Sequence, residues 1–103
     1  MKNDKSYIHT VYIISQYKFY LRCLKESELI YELNDYNSNE NYALRYVGNV
    51  YRSFMSLGEI EKRIFSKIYI DRKITRKKLN KEEKLYLDVA TLKFLDNFYE
   101  YQK

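Results

Sequence analysis

Apolar residues recur at helical spacing along most of the chain, and this pattern predicts an all-α fold. From about Lys5 to Leu33, two overlapping apolar sets spaced three, four or seven residues apart predict one long helix: Ile13, Tyr17, Tyr20, Leu24 and Tyr31, and Val11, Ile14, Leu21 and Leu24. The start of this segment is β-branched, but no second run of comparable length exists to pair with it as a strand. The pattern therefore favours helix over strand.

The middle of the chain is predicted to contain a loop and a second helix. Asn34–Asn41 is rich in Asn, Asp and Ser, whose short side chains compete for the hydrogen bonds of a helical backbone. The second helix is predicted from Tyr42 to Leu57, with an apolar stripe of Leu44, Val47, Val50, Tyr51, Phe54 and Met55. Gly48 within it suggests close approach of another helix, since glycine costs about 1 kcal/mol relative to alanine there.

A third helix is predicted over Glu59–Ile70. Its inward residues are expected to be Ile60, Ile64, Phe65 and Ile68, and its outward residues Glu61, Lys62, Arg63 and Lys67. Asp71–Lys73 is then predicted to be a turn. Thr75 is expected to cap a short helix that ends at Leu79.

The last helix is predicted to begin at a capping box and to run to the end of the apolar pattern. Asn80 is a favoured N-cap residue, and Glu83 stands three positions later, as a capping box requires. Residues Leu85–Tyr101 are apolar almost all round. Such a helix is either central to the core or shared with another subunit.

Length and composition indicate one folded domain, residues 1–103, with 46% hydrophobic and 32% charged residues. The absence of proline and the presence of only two glycines disfavour β-rich folds and glycine-loop enzymes. The single cysteine, Cys23, has no partner for an internal disulfide and is expected to be a buried thiol. Neither a signal peptide nor a run of transmembrane length is recognisable, so we expect a cytoplasmic protein without membrane contact.

Catalytic chemistry is not indicated by the sequence. The only usual nucleophile and base, Cys23 and His9, lie fourteen residues apart on one predicted helix, which separates them by about 20 Å. Neither a cluster with metal-ligand spacing nor a glycine-rich phosphate loop is present. We therefore predict no enzyme activity, no catalytic residues, no metal and no cofactor.

Basic residues are concentrated in Asp71–Lys84, which we call the basic window. It carries +4 of the net +5, and its seven basic residues are Arg72, Lys73, Arg76, Lys77, Lys78, Lys81 and Lys84. One interpretation is a helix-turn-helix, in which Lys81 and Lys84 approach bases or phosphates from the first turn of the second helix while the other five hold the DNA backbone. The other interpretation is a solvated basic loop. The carboxylates of Glu82 and Glu83 count against DNA binding, because they would face the phosphates or compete for the same groove.

The segments Leu57–Ile64, Ile68–Asp71 and Ile74–Leu79 are followed by Leu85–Tyr86 and by Ala90–Leu92. In this order of elements, residues 43–95 resemble the C-terminal region of ArpU/RinA-type phage transcriptional regulators, which is similar to sigma-factor region 4. The resemblance implies a domain of about five helices with a helix-turn-helix over residues 60–95. It also implies double-stranded DNA as partner and a role in transcription regulation.

A different class of function is compatible with the same sequence. The apolar faces of 10–33 and 85–101 are broad for a small core, and exposed apolar patches usually mark partners. A non-enzymatic accessory or inhibitory protein that binds a larger protein, such as the transcription machinery, would have such helices. We favour a DNA-binding regulator that acts as a homodimer, and a homodimer fits both hypotheses.

Overall fold

The computed structural model describes residues 2–33 and 38–102, and every regular element in those ranges is helical. A π-helical segment, Ser66–Ile70, and a 3-10 turn, Arg76–Lys78, lie between the third and the fourth α-helix. The four α-helices are α1 (Lys2–Leu33), α2 (Ser38–Met55), α3 (Glu59–Phe65) and α4 (Lys81–Gln102). The predicted all-α class is confirmed, but within the described ranges the five expected helices are four α-helices and a single 3-10 turn.

The boundary between α1 and α2 differs from the predicted loop. Residues 34–37 of that loop lie outside the described residues, whereas Ser38 already begins α2. The loop prediction is therefore wrong for 38–41. Asn, Asp and Ser are favoured at helix N-caps as well as in loops, so the composition of this stretch does not fix where the helix begins.

The buried face of α2 is not the predicted apolar stripe. Of that stripe, Val50 is buried, whereas Leu44, Tyr51 and Met55 are exposed. The residues that α2 buries are instead Ala43, Tyr46, Asn49, Val50 and Ser53. The polar members of this set are tolerated because they are hydrogen-bonded. The Ser53 hydroxyl donates to the Asn49 carbonyl (2.7 Å), and the Asn49 amide donates to Oε1 of Gln102 (2.7 Å).

Gly48 does not mediate close helix packing within the chain. A Cβ atom placed on Gly48 would have no neighbour within 4 Å. The prediction of a close helix approach at this glycine is therefore wrong for the described residues. Gly48 is half-buried, and its spacing places it on the same side of α2 as the exposed Leu44, Tyr51 and Met55.

At the start of α3, Glu61 and Ile60 exchange their predicted positions. Glu61 is buried, and its Oε1 atom accepts the backbone N–H of Gly58 (2.8 Å) while Lys93 of α4 donates to Oε2 (3.1 Å). The Gly58 hydrogen bond and Lys93 hold the pKa of Glu61 below its usual value despite burial. Ile60 is 47% exposed as a result, and Arg63 and Lys67 face solvent as predicted.

Helices α1, α2 and α4 pack against one another, and α3 with its π segment covers the side of α4 and α1. The Lys18 side chain of α1 donates to the carbonyl of Ile70, the last residue of the π segment (2.6 Å). This contact ties the segment that leads into the basic window to the longest helix. In the described part of the chain, none of the helices is both long enough and apolar enough to cross a membrane.

Aromatic rings form the centre of the core. The Phe65 ring lies 4.7 Å from Tyr69 and 4.8 Å from Phe94, between ring centroids, and Phe94 stacks on Phe98. The Tyr69 hydroxyl is 2.8 Å from Oγ1 of Thr91, and this threonine donates to the Leu87 carbonyl. The buried tyrosine therefore has a partner for its polar end, as such residues generally require.

Stability is expected to fall at alkaline pH because of Tyr69. Burial raises the pKa of its hydroxyl from 10.0 to about 12. As the pH rises, the Tyr69 hydroxyl loses its proton near pH 10 in the unfolded chain, before it does so in the folded chain. Above pH 10 the folded state therefore binds more protons than the unfolded state, and the free energy of unfolding falls until the pH passes the folded-state pKa. The full loss from this group is about 3 kcal/mol.

The measurement is urea unfolding of the wild-type chain and of Tyr69→Phe between neutral and strongly alkaline pH. The variant is expected to lose about 1 kcal/mol at neutral pH with the hydrogen bond, and to show a flatter decline above pH 10. The pKa values of Tyr20 and Tyr46 are also raised by burial, so some decline remains in the variant. Parallel curves for the two chains would contradict the assignment to Tyr69.

Candidate nucleic-acid interface

The basic window begins at a tight reversal of the chain after the π segment. The Asp71 N–H donates to the Ser66 carbonyl (2.7 Å), and the Lys73 N–H donates to the Lys67 carbonyl (3.0 Å). Between them, Arg72 adopts a left-handed conformation with φ of 53°. Glycine is usually found at this position of a helix end, because it has no Cβ to clash. The reversal turns the charged residues of the window away from the helical core.

The next part of the window is a single turn of 3-10 helix where a short helix was predicted. Thr75 occupies the N-cap position of Arg76–Lys78, but its side chain makes no capping hydrogen bond. The predicted side-chain cap is therefore wrong. The turn is closed by backbone bonds, with the Lys78 N–H donating to the Thr75 carbonyl (3.0 Å). Leu79 is 5% exposed and anchors the end of the turn to the core.

The start of α4 is fixed by the predicted capping box, which is confirmed. Oδ1 of Asn80 accepts the backbone N–H of Glu83 (2.8 Å), and Oε1 of Glu83 accepts the backbone N–H of Asn80 (3.0 Å). The Glu83 carboxylate is therefore occupied in satisfying the helix start. Glu82 remains exposed beside it.

Two of the seven basic residues are partly buried. The Arg76 guanidinium forms an ion pair with Asp88 of α4, with Nη2 3.0 Å from Oδ2 and 3.3 Å from Oδ1. Lys84 is half-buried on the first turn of α4. Neither side chain is as accessible to a macromolecular partner as the other five.

The five remaining cations are exposed, and together they form what we call the basic surface: Arg72, Lys73, Lys77, Lys78 and Lys81. Among the described residues, none of the five forms an ion pair with an acidic side chain. They lie on the turn, the 3-10 turn and the first residue of α4. Five of the seven residues predicted from the sequence are therefore exposed, whereas Arg76 is paired with Asp88 and Lys84 is half-buried.

Arg63 and Lys67 are additional basic residues that the basic window did not include. Both are exposed and line a groove of about 300 Å³ whose other wall includes Asn80 and Glu82 at the start of α4. Their spacing of four residues on the outward side of the third helix was recognisable in the sequence. Their position opposite the first turn of α4 depends on how the chain folds back after Ile70, which local sequence does not reveal.

His9 and Cys23, the two residues considered for catalysis, both lie on α1. His9 is exposed, and its Nδ1 atom lies 3.1 Å from the hydroxyl of Tyr99. Cys23 is half-buried rather than fully buried as predicted. In the part of the chain that the structure describes, no three His, Cys, Asp or Glu side chains are grouped so that they could hold a metal ion.

Replacing Arg72 by glycine is expected to stabilise the turn relative to replacing it by alanine. Both variants remove the same charge, but only alanine keeps a Cβ in the left-handed conformation. We expect Arg72→Gly to be about 1 kcal/mol more stable than Arg72→Ala. Urea unfolding measures the difference, and equal stabilities would show that the left-handed backbone at this position carries no strain.

Comparison of the chain with protein-family models, with curated proteins and with solved structures gives no match.

Proposed function

We propose that this protein is a DNA-binding transcriptional regulator that contacts double-stranded DNA through the basic surface. The observation that carries the proposal is the grouping of five exposed cations without acidic partners among the described residues. Each such side chain can neutralise one phosphate and release a condensed counterion. The five lie within ten consecutive residues of the chain, on the turn, the 3-10 turn and the first residue of α4.

In the proposed complex, the elements act in the order of a helix-turn-helix. Helix α3 with its π segment serves as scaffold, the 3-10 turn replaces the first helix, and α4 is the recognition helix. Lys81 at the start of α4 approaches base edges or phosphates, and Arg72, Lys73, Lys77 and Lys78 hold the backbone. Arg76 acts indirectly, because its ion pair with Asp88 braces the 3-10 turn against α4.

The carboxylates at the start of α4 are compatible with this arrangement. Glu83 is held back by the capping box and does not need to enter the groove. Glu82 is the one of the two that reaches solvent, and a glutamate at a base edge accepts from the N4 amino group of cytosine. In the proposed complex, Glu82 is therefore the residue that discriminates between bases.

The experiment is fluorescence anisotropy of a mixed pool of duplex DNA across a salt series. Five phosphate contacts predict that the binding constant falls with a log–log slope of about −4.5, which is about 500-fold between 50 and 200 mM salt. Selection of bound duplexes from the pool then identifies a preferred site. A chain that is folded by circular dichroism but binds no duplex at the lowest salt concentration would overturn the proposal.

A second candidate function, protein interaction without nucleic acid, is favoured by a separate observation. Large apolar side chains are exposed on the outward sides of three helices, including Tyr12 of α1 (62%), Tyr51 of α2 (57%) and Leu85 of α4 (65%). This hypothesis predicts that activity in the cell depends on these apolar residues and tolerates charge reversal in the basic surface. DNA binding predicts the opposite sensitivity.

A further inference from the structure

Helix α3 and the π segment carry two exposed cations that the basic surface does not include. Arg63 and Lys67 are four residues apart, so they lie on the same outward side, and both are exposed. Among the described residues, neither forms an ion pair with an acidic side chain. The other cation of α3, Lys62, differs in both respects, because its side chain is only 19% exposed and pairs with Glu59 (3.1 Å). Arg63 and Lys67 are therefore the cations of this region that a partner can reach.

Lys67 joins these two cations to the basic surface. Its backbone carbonyl accepts the N–H of Lys73 (3.0 Å), so the two residues are neighbours where the chain reverses after the π segment. Arg63 and Lys67 also line the groove whose other wall includes Asn80 and Glu82 at the start of α4. The exposed cations thus continue from the turn along the π segment and α3, across this groove from α4.

The first turn of α4 has exposed cations on two sides. Glu82 and Tyr86 line the groove, so they mark the side of α4 that faces Arg63 and Lys67. At 3.6 residues per turn, Lys81 lies about 100° from Glu82 and about 140° from Tyr86 around the helix axis. Lys81 is therefore on a different side of α4 from the groove. The exposed start of α4 is flanked by Lys81 on one side and by Arg63 and Lys67 on the other.

We infer that Arg63 and Lys67 bind phosphates of one DNA strand, that the basic surface binds phosphates of the other, and that the start of α4 lies in the major groove between them. The arrangement rests on the proposed DNA binding and gives α3 a contact role in addition to its role as scaffold. A major groove about 12 Å wide admits an α-helix and has a phosphate backbone along each edge, so a helix placed there has phosphates on both sides. Glu82 lies between the two groups of cations, on the side that meets base edges.

The salt dependence of binding to a mixed pool of duplex DNA tests this inference. Seven phosphate contacts predict a log–log slope of about −6.3 for the wild-type chain, whereas the five contacts of the basic surface alone predict about −4.5. The double variant Arg63→Gln and Lys67→Gln removes two contacts. It is expected to return the slope to about −4.5 and to weaken duplex binding about 10-fold or more near 100 mM salt.

The matched control is the double variant Arg22→Gln and Lys25→Gln. It removes one exposed arginine and one exposed lysine from α1, so the change in net charge is the same. It is expected to keep the wild-type slope. A further variant, Arg63→Lys with Lys67→Arg, keeps both charges and is expected to bind duplex DNA as the wild-type chain does. Circular dichroism checks that all three variants are folded.

A pool of single-stranded DNA of the same length tests the placement of the two strands. Single-stranded DNA has no major groove and no second backbone. The Arg63 and Lys67 glutamine variant is therefore expected to lose no more affinity for it than the control variant loses. A larger loss than the control for single-stranded DNA, as large as that for duplex DNA, would overturn the placement on opposite strands.

The outcomes also separate this inference from the proposed function. Duplex binding with a wild-type slope near −4.5, unchanged in the Arg63 and Lys67 glutamine variant, would overturn the inference and leave DNA binding through the basic surface standing. Equal losses in the two glutamine variants, or loss of binding in the charge-keeping variant, would overturn it as well. A folded wild-type chain that binds no duplex at the lowest salt concentration would reject both.

Discussion

Phe94→Ala is expected to lower the free energy of unfolding by about 3–5 kcal/mol. The Phe94 side chain is completely buried, and its ring centroid lies 4.8 Å from that of Phe65 and 6.1 Å from that of Phe98. Truncation removes the transfer free energy of the ring and leaves a cavity that rigid neighbouring rings cannot fill. Since domains of this kind are stable by about 5–15 kcal/mol, the variant approaches the unfolding threshold.

Urea unfolding followed by circular dichroism measures this loss. The matched control is Phe19→Ala, the same substitution on a ring that is 50% exposed and lies edge-on to Tyr20. The control is expected to lose about 1 kcal/mol or less, the contribution of a partly exposed aromatic pair. Similar losses in the two variants would contradict the position of Phe94 at the centre of the core.

The existence of the helices could be predicted from the sequence, but the buried faces of two of them could not. Helical spacing is a local property, so it predicts the existence of all four α-helices, although α2 begins earlier than predicted and the predicted third helix ends in a π segment. On α2, spacing alone allows the Leu44 side or the Tyr46 side to be buried, and the choice depends on polar partners elsewhere. Asn49 is buried because Gln102, fifty-three residues away, accepts its amide. No local pattern contains that information.

The candidate site also has features that the sequence predicts and features that it does not. The basic residues and the capping box of Asn80 and Glu83 are local features, and the sequence predicts both. Which cations are accessible depends on tertiary contacts. Asp88 withdraws Arg76 from the surface by an ion pair, and the fold places Arg63 and Lys67 beside the start of α4. The left-handed conformation of Arg72 was also not predictable, because an arginine gives no indication of it.

The basic surface is expected to lose most of its DNA affinity when three of its lysines are reversed in charge. In the triple variant Lys73→Glu, Lys77→Glu and Lys78→Glu, three phosphate contacts are replaced by three repulsions. All three side chains are exposed and make no ion pair with described residues, so the fold is expected to be unaffected. At low salt we expect the affinity to fall by about 100-fold or more, and the log–log salt slope to drop by about 2.7.

A second triple variant separates the local effect from the change in net charge. Arg22→Glu, Lys25→Glu and Arg45→Glu change the charge by the same amount on exposed residues of α1 and α2, outside the basic surface. Long-range attraction alone would weaken DNA binding equally in both variants, whereas phosphate contact at the basic surface predicts a much larger loss in the first. Anisotropy titrations at two salt concentrations measure the ratio of the two losses. Equal losses would mean that DNA is attracted to the protein as a whole and that the basic surface is not its binding site.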